Sequence, residues 1–229
     1  MEINQLIKPL FFGVLLASIC CFMMDWSILH FTFRNMAYPL LLFYFFSTVK
    51  RPYNKLAVAY VGIAYLGDIL INLGEGYGTK WIMLVFLISY LCLIASTFFL
   101  IKPLGFQLKG AVIALLSVLV LGLILFRLHD YLPVQFTSGQ PMFFVYTLAL
   151  LSLVGMAMYY FMLNHSFVSF YLAMTALFNV FTDILLVMQE MMSEFKEFSA
   201  VVIFLNYVSY YFAIRYFVTR SSTNLEELA

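Results

Sequence analysis

Two aspartates lie inside long apolar stretches of this chain, in Leu66-Gly67-Asp68-Ile69-Leu70 and in Phe181-Thr182-Asp183-Ile184-Leu185. An ionisable side chain is costly in hydrocarbon unless it faces protein or water, so each is a functional candidate. Two carboxyl groups at one depth can divide acid–base work: one delivers a proton while the other stabilises a developing cation or orients water. Helical spacing extends both into polar stripes. Asp68, Asn72 and Glu75 fall at i, i+4 and i+7, and Thr175, Asn179 and Asp183 are each four apart. Tyr90 and Ser89 on one neighbouring stretch, and Asn206, Tyr207, Ser209, Tyr210 and Tyr211 on another, supply further polar groups. Asp68 and Asp183 are therefore the expected catalytic pair, and Asn72, Tyr90, Asn179, Asn206, Tyr207 and Tyr210 the expected substrate contacts. The competing role for the same residues is a hydrogen-bonded clamp between helices.

The elements that carry them are membrane helices. Of 229 residues, 65% are hydrophobic, 19% aromatic and only 10% charged, against about 25% charged in soluble domains. Apolar windows lie near Leu6–Met24, Phe31–Val49, Lys55–Leu73, Trp81–Ile101, Lys109–Arg127, Pro141–Leu163, Val168–Gln189 and Phe198–Val218. About 20 apolar residues cross the hydrocarbon, and continuous runs exclude the alternating strands of a barrel. The expected fold class is all-α: a polytopic bundle of about eight transmembrane helices forming one domain over residues 1–220, followed by a polar, frayed tail over 221–229. Connections are short, the longest running from His129 to Gln140. The first stretch lacks a small-residue cleavage site and reads as a retained helix.

With eight crossings, one face carries Lys8, Lys50, Arg51, Lys55, Lys102, Lys109, Arg215 and Arg220, the other Arg34, Lys80, Arg127 and Lys196. The imbalance puts both termini in the cytoplasm, and the expected location is the cytoplasmic (inner) membrane of a bacterium. Glu190, Glu194 and Glu197 then fall outside, with Asp25, Glu75 and Asp130. A net charge of +1 leaves no footprint for nucleic acid. Cys20, Cys21 and Cys92 sit in apolar stretches without metal or disulfide spacing. His30, His129 and His165 are expected in loops on two faces, so no metal, cofactor or histidine base is expected. Helices one and five, almost purely apolar, fit a lipid-facing position.

The two halves of the chain are weakly alike. Glu75 and Glu190 each follow their aspartate by seven residues, and Leu87-Ile88-Ser89-Tyr90 resembles Phe204-Leu205-Asn206-Tyr207. A repeat of four plus four helices is a parallel duplication.

This pattern resembles the YhhN family of multi-helix membrane proteins, whose characterised members are lysoplasmalogenases. Tyr38-Pro39-Leu40 is similar to the family's proline-containing second helix and Leu66-Gly67-Asp68-Ile69-Leu70 to its glycine-aspartate helix. Tyr146 with Met156-Ala157 resembles its sixth helix, Thr182-Asp183 its serine-aspartate pair, and Tyr210-Tyr211-Phe212-Ala213 its last helix. The chain departs from the family at Tyr38, where a lysine is usual, and at Tyr90, where a histidine is usual. The resemblance implies a membrane lipid substrate and hydrolysis of the vinyl ether bond of a lysoplasmalogen to a fatty aldehyde and a glycerophospho head group. A different reading is a non-enzymatic transporter or lipid-binding protein in which the aspartates bind a proton or a cation. An aspartyl intramembrane protease would want glycine at position 65, where Tyr65 stands.

Overall fold

The computed structural model describes residues 3–49, 54–72, 79–129, 140–191 and 195–226. Within them the chain is all-helical: α1 (Ile3–Met23), α2 (Ser27–Thr48), α3 (Lys55–Asn72), α4 (Thr79–Ile101), α5 (Leu108–His129), α6 (Gln140–Leu163), α7 (Phe167–Met191) and α8 (Lys196–Glu226), with a short 3₁₀ turn at Lys102–Leu104. Six of these, α1 and α4 to α8, are long and apolar enough to cross a membrane. A helix satisfies its own backbone hydrogen bonds, which is the condition for standing in lipid. Outward-facing residues meet the same condition: Leu115, Leu116, Leu119, Val120 and Leu123 of α5 are all more than half exposed. The architecture is that of an α-helical integral membrane protein.

Consecutive helices pack as antiparallel hairpins: α1 on α2, α3 on α4, α5 on α6 and α7 on α8. The α4–α6 contact joins the two halves, and α8 also touches α1, α2 and α3. In α8, 56% of the spanning window is buried, in α5 only 17%. The last helix is thus the central post, and α5 lies at the lipid face as its composition suggests. α1 also keeps a face outward, with Leu6, Leu10 and Leu16 about half exposed, while Phe11 and Leu15 are enclosed where it packs against α2 and α8.

Local chemistry explains the turns. Asp25 takes φ 60 between α1 and α2, a left-handed conformation that aspartate tolerates, and its carboxylate pairs with Lys196 at the start of α8. Gly105, at φ 74, reverses the chain after α4. Tyr159 of α6 clamps that reversal by accepting from Gln107 N at 3.0 Å. Ser166 caps α7, its hydroxyl accepting from Ser169 N at 3.3 Å.

Three boundaries differ from the sequence reading. His30 lies in the first turn of α2, not in a loop, and its Nδ1 is 2.9 Å from the Ser18 carbonyl. His129 is the last residue of α5, while His165 does lie between helices. The polar segment from Ser221 continues α8 as far as Glu226, because extending a formed helix adds one hydrogen bond per residue and no glycine or proline intervenes. Most of the connection from His129 to Gln140 lies outside the described residues, as do Glu75, Asp130 and Glu194.

Candidate functional site: two tyrosine-held carboxyl groups

Asp68 points into the bundle and is 1% exposed, while Leu66, two residues earlier, is 48% exposed. Gly67 beside it faces α4 so closely that a Cβ there would stand 3.0 Å from Phe86 Cζ. The missing side chain lets α4 approach α3, as small residues do in membrane bundles. The Tyr207 hydroxyl of α8 reaches Asp68 Oδ2 at 2.9 Å, Oδ1 at 3.1 Å and the Arg34 carbonyl of α2 at 3.1 Å. One hydroxyl hydrogen is thus shared among three acceptors. Pro39, which has no N–H to donate, interrupts the hydrogen-bond ladder of α2 just beyond that carbonyl.

Aromatic rings wall this carboxyl. Tyr38, fully buried, stacks on Tyr65 at 5.1 Å, meets Tyr210 edge-on at 5.0 Å and donates to the Val61 carbonyl at 3.0 Å. Tyr210 meets Tyr207 at 5.8 Å and accepts a long bond from Asn206 Nδ2 at 3.4 Å.

Asp183 is held differently. It is half-buried, and its Oδ2 accepts from the Tyr146 hydroxyl of α6 at 2.9 Å. Tyr146 in turn lies 3.1 Å from the Tyr90 hydroxyl of α4. A carboxylate only accepts, so the chain runs Tyr90 to Tyr146 to Asp183. One turn earlier, Asn179 is 6% exposed; its Oδ1 accepts from Ser209 of α8 at 2.7 Å, and its Nδ2 has no acceptor among the described residues. Buried amide groups are nearly always paired, so this nitrogen is available to an oxygen on a bound molecule or water.

The expected residues therefore fall into two clusters. Asp68, Tyr207, Tyr210 and Asn206 meet between α3 and α8, and Asp183 and Tyr90 meet through α6, with Asn179 beside them. Tyr60 of α3 lies between the clusters, within electrostatic range of Tyr38, Tyr90 and Tyr210. The side chain of Asn72 lies outside the described residues. Thr175 faces inward with the stripe, fully buried, and its hydroxyl bonds back to the Tyr171 carbonyl at 2.8 Å. Sequence reasoning named Tyr146 only as a motif residue of the sixth helix and not as the partner of Asp183, and it left out the Arg34 carbonyl. In an apolar helix a tyrosine reads first as an interface anchor, and only its i-to-partner geometry distinguishes it. No cluster of three or more metal-ligating side chains occurs among the described residues.

The site and fold define a class: a helical membrane protein with two carboxyl groups, each engaged by a tyrosine of another helix. No family model matches the chain, and neither a curated protein nor a solved structure matches it.

Proposed function

We propose that the protein is a membrane-embedded lipid hydrolase, lysoplasmalogenase-like and akin to the YhhN family, that cleaves a vinyl ether. The observation that carries this reading is the Asp183 carboxyl with one oxygen occupied by Tyr146 and the other without a partner among the described residues, one turn from the unpaired amide N–H of Asn179. Asp183, protonated on its other oxygen, gives that proton to the vinyl carbon distal to the ether oxygen, and the vinyl π electrons form the new C–H bond. An oxocarbenium ion remains, as in glycoside hydrolysis. Water adds to it and loses a proton to the Asp183 carboxylate; the resulting hemiacetal then breaks its bond to the glycerol oxygen as its hydroxyl gives up its proton and the glycerol oxygen takes one up. The products are a fatty aldehyde and a glycerophospho head group. Asp68, engaged by Tyr207, is in this reading the second carboxyl that stabilises the cation.

The reading includes a parallel duplication of four plus four helices, with eight crossings and both termini cytoplasmic. Asp68 of the first half bonds Tyr207 of the second, whereas Asp183 bonds Tyr146 of its own half and is joined to Tyr90 of the first half through it. Single cysteines introduced at Thr79 and Ser221 test the topology: an impermeant thiol reagent applied to intact cells labels position 79 and spares 221.

The activity test offers purified protein lysoplasmalogens and ester-linked lysophospholipids, following aldehyde release and ester loss separately. Aldehyde from the first and no loss of the second is the expected result. A proton-coupled transporter, the other reading of the same aspartates, yields neither.

A further inference from the structure

At the opposite end of α8 from Lys196, Arg215 is held by two tyrosine hydroxyls and by no carboxylate among the described residues. Its Nη1 donates to the Tyr44 hydroxyl of α2 at 2.7 Å and its Nη2 to the Tyr171 hydroxyl of α7 at 2.8 Å. Its Nε is buried and has no partner among the described residues. The guanidinium lies 4.9 Å from the centre of the Tyr171 ring, and Lys8 of α1 lies 5.7 Å from that of Tyr44. Lys8, Arg215 and Tyr211 are all within electrostatic range of one another's cluster.

Hydrogen counting gives the site its chemistry. Both tyrosine oxygens already accept from Arg215, so each hydroxyl hydrogen points elsewhere, and no acceptor for either occurs among the described residues. Neither Lys8 nor Arg215 pairs with a carboxylate there; the one described ion pair is Lys196 with Asp25 at the other end of the bundle. Two cations placed side by side repel unless an anion lies between them, and a guanidinium fork with hydroxyl donors suits a phosphate oxygen.

We infer that Lys8, Tyr44, Tyr171 and Arg215 form a phosphate-binding site between α1, α2, α7 and α8, at the end of the bundle where a lipid head group resides. The site is separate from the carboxyl clusters. Arg215 lies eight residues beyond Tyr207 on α8, about 12 Å along the axis, and Tyr171 lies twelve residues before Asp183, about 18 Å. Only a handful of bonds separate the sn-1 oxygen of a glycerophospholipid from its phosphorus. A molecule reacting at Asp183 therefore leaves this site to a second one.

The test is native mass spectrometry of the full chain released from detergent, with phosphatidylglycerol, diacylglycerol of the same acyl chains, or inorganic phosphate added, and with melting followed in parallel. The parent is expected to retain phosphatidylglycerol and not diacylglycerol, with retention falling at least about tenfold in Arg215→Gln and in Lys8→Gln. Tyr171→Phe keeps the ring and removes one donor, so it loses retention without loss of fold even if the arginine variant misfolds. Protection by millimolar phosphate, lost in the same variants, identifies free phosphate or a soluble phosphate ester as the source; lipid retention without phosphate protection identifies the head group. Equal retention of phosphatidylglycerol and diacylglycerol, or variants that bind as the parent does, overturns the site. Because the readout is binding, its failure leaves the hydrolase reading standing, and failure of aldehyde release leaves this site standing.

Discussion

Around Asp68 the carboxyl is enclosed, both oxygens lie within reach of one tyrosine hydroxyl, and Tyr38, Tyr65 and Tyr210 close the walls. Around Asp183 the carboxyl is half-buried, one oxygen is engaged by a two-tyrosine chain, and an unpaired amide stands one turn away. Two aspartates matched in sequence thus have unmatched surroundings. A carboxyl with both oxygens engaged holds helices together, whereas one with an oxygen to spare can meet a substrate atom. Under the proposed hydrolysis, that difference would make Asp183 the proton donor and Asp68 the supporting carboxyl.

The largest expected effect comes from removing a carboxyl. Asp183→Asn should lower aldehyde release by about 10²–10⁴-fold, the range for a general acid, with heat stability within error of the parent, because a neutral amide is cheaper to bury than a carboxylate. If both aspartates work as a unit, Asp68→Asn falls about as far and the double variant no further. A fully active Asp68→Asn would turn the comparison into one between a catalyst and a clamp.

Next in size, Asp68→Ala leaves a cavity and leaves the Tyr207 hydroxyl the Arg34 carbonyl alone, and should destabilise by about 1–3 kcal/mol, read from the melting transition. Asp183→Ala, at a half-open position, should cost less. Equal losses at the two positions would erase the structural contrast. Gly67→Ala pushes a methyl group to 3.0 Å from Phe86; overpacking at this helix contact is expected to cost about 1–3 kcal/mol and to disturb Asp68 before Asp183. The smallest effect belongs to Tyr146→Phe, which leaves Asp183 with one lost donor. About 0.6 kcal/mol of stability is the scale for an interhelical hydrogen bond in a membrane, and the activity loss should exceed what that implies if Tyr146 orients the carboxyl.

Asp68 and Asp183 were legible in the sequence because a charged residue within an apolar run violates the membrane's demands and so stands out. Tyr90, Asn179, Asn206, Tyr207 and Tyr210 were legible as polar residues at helical spacing. Their division into two clusters was not, since periodicity fixes the face of a helix but not which neighbour covers it. Tyr146 was hidden by its type, one of 16 tyrosines in a chain of membrane helices. Arg215 was read only as a charge setting orientation; the fold brings it against Tyr44 and Tyr171, on helices distant in sequence. The helical content was plain from hydropathy, whereas α2 stood apart only in its weaker apolarity, with His30, Arg34 and Asn35 in its first half.

The central claim is that a carboxylic acid delivers a proton to a vinyl carbon, and isotope incorporation tests it most directly. Purified protein and a lysoplasmalogen are mixed in D₂O and the released aldehyde is weighed by mass spectrometry at early time. The account predicts an aldehyde carrying one deuterium on the carbon next to the carbonyl, released more slowly than in H₂O. Aldehyde without deuterium, or no aldehyde from an intact, folded protein, would contradict it.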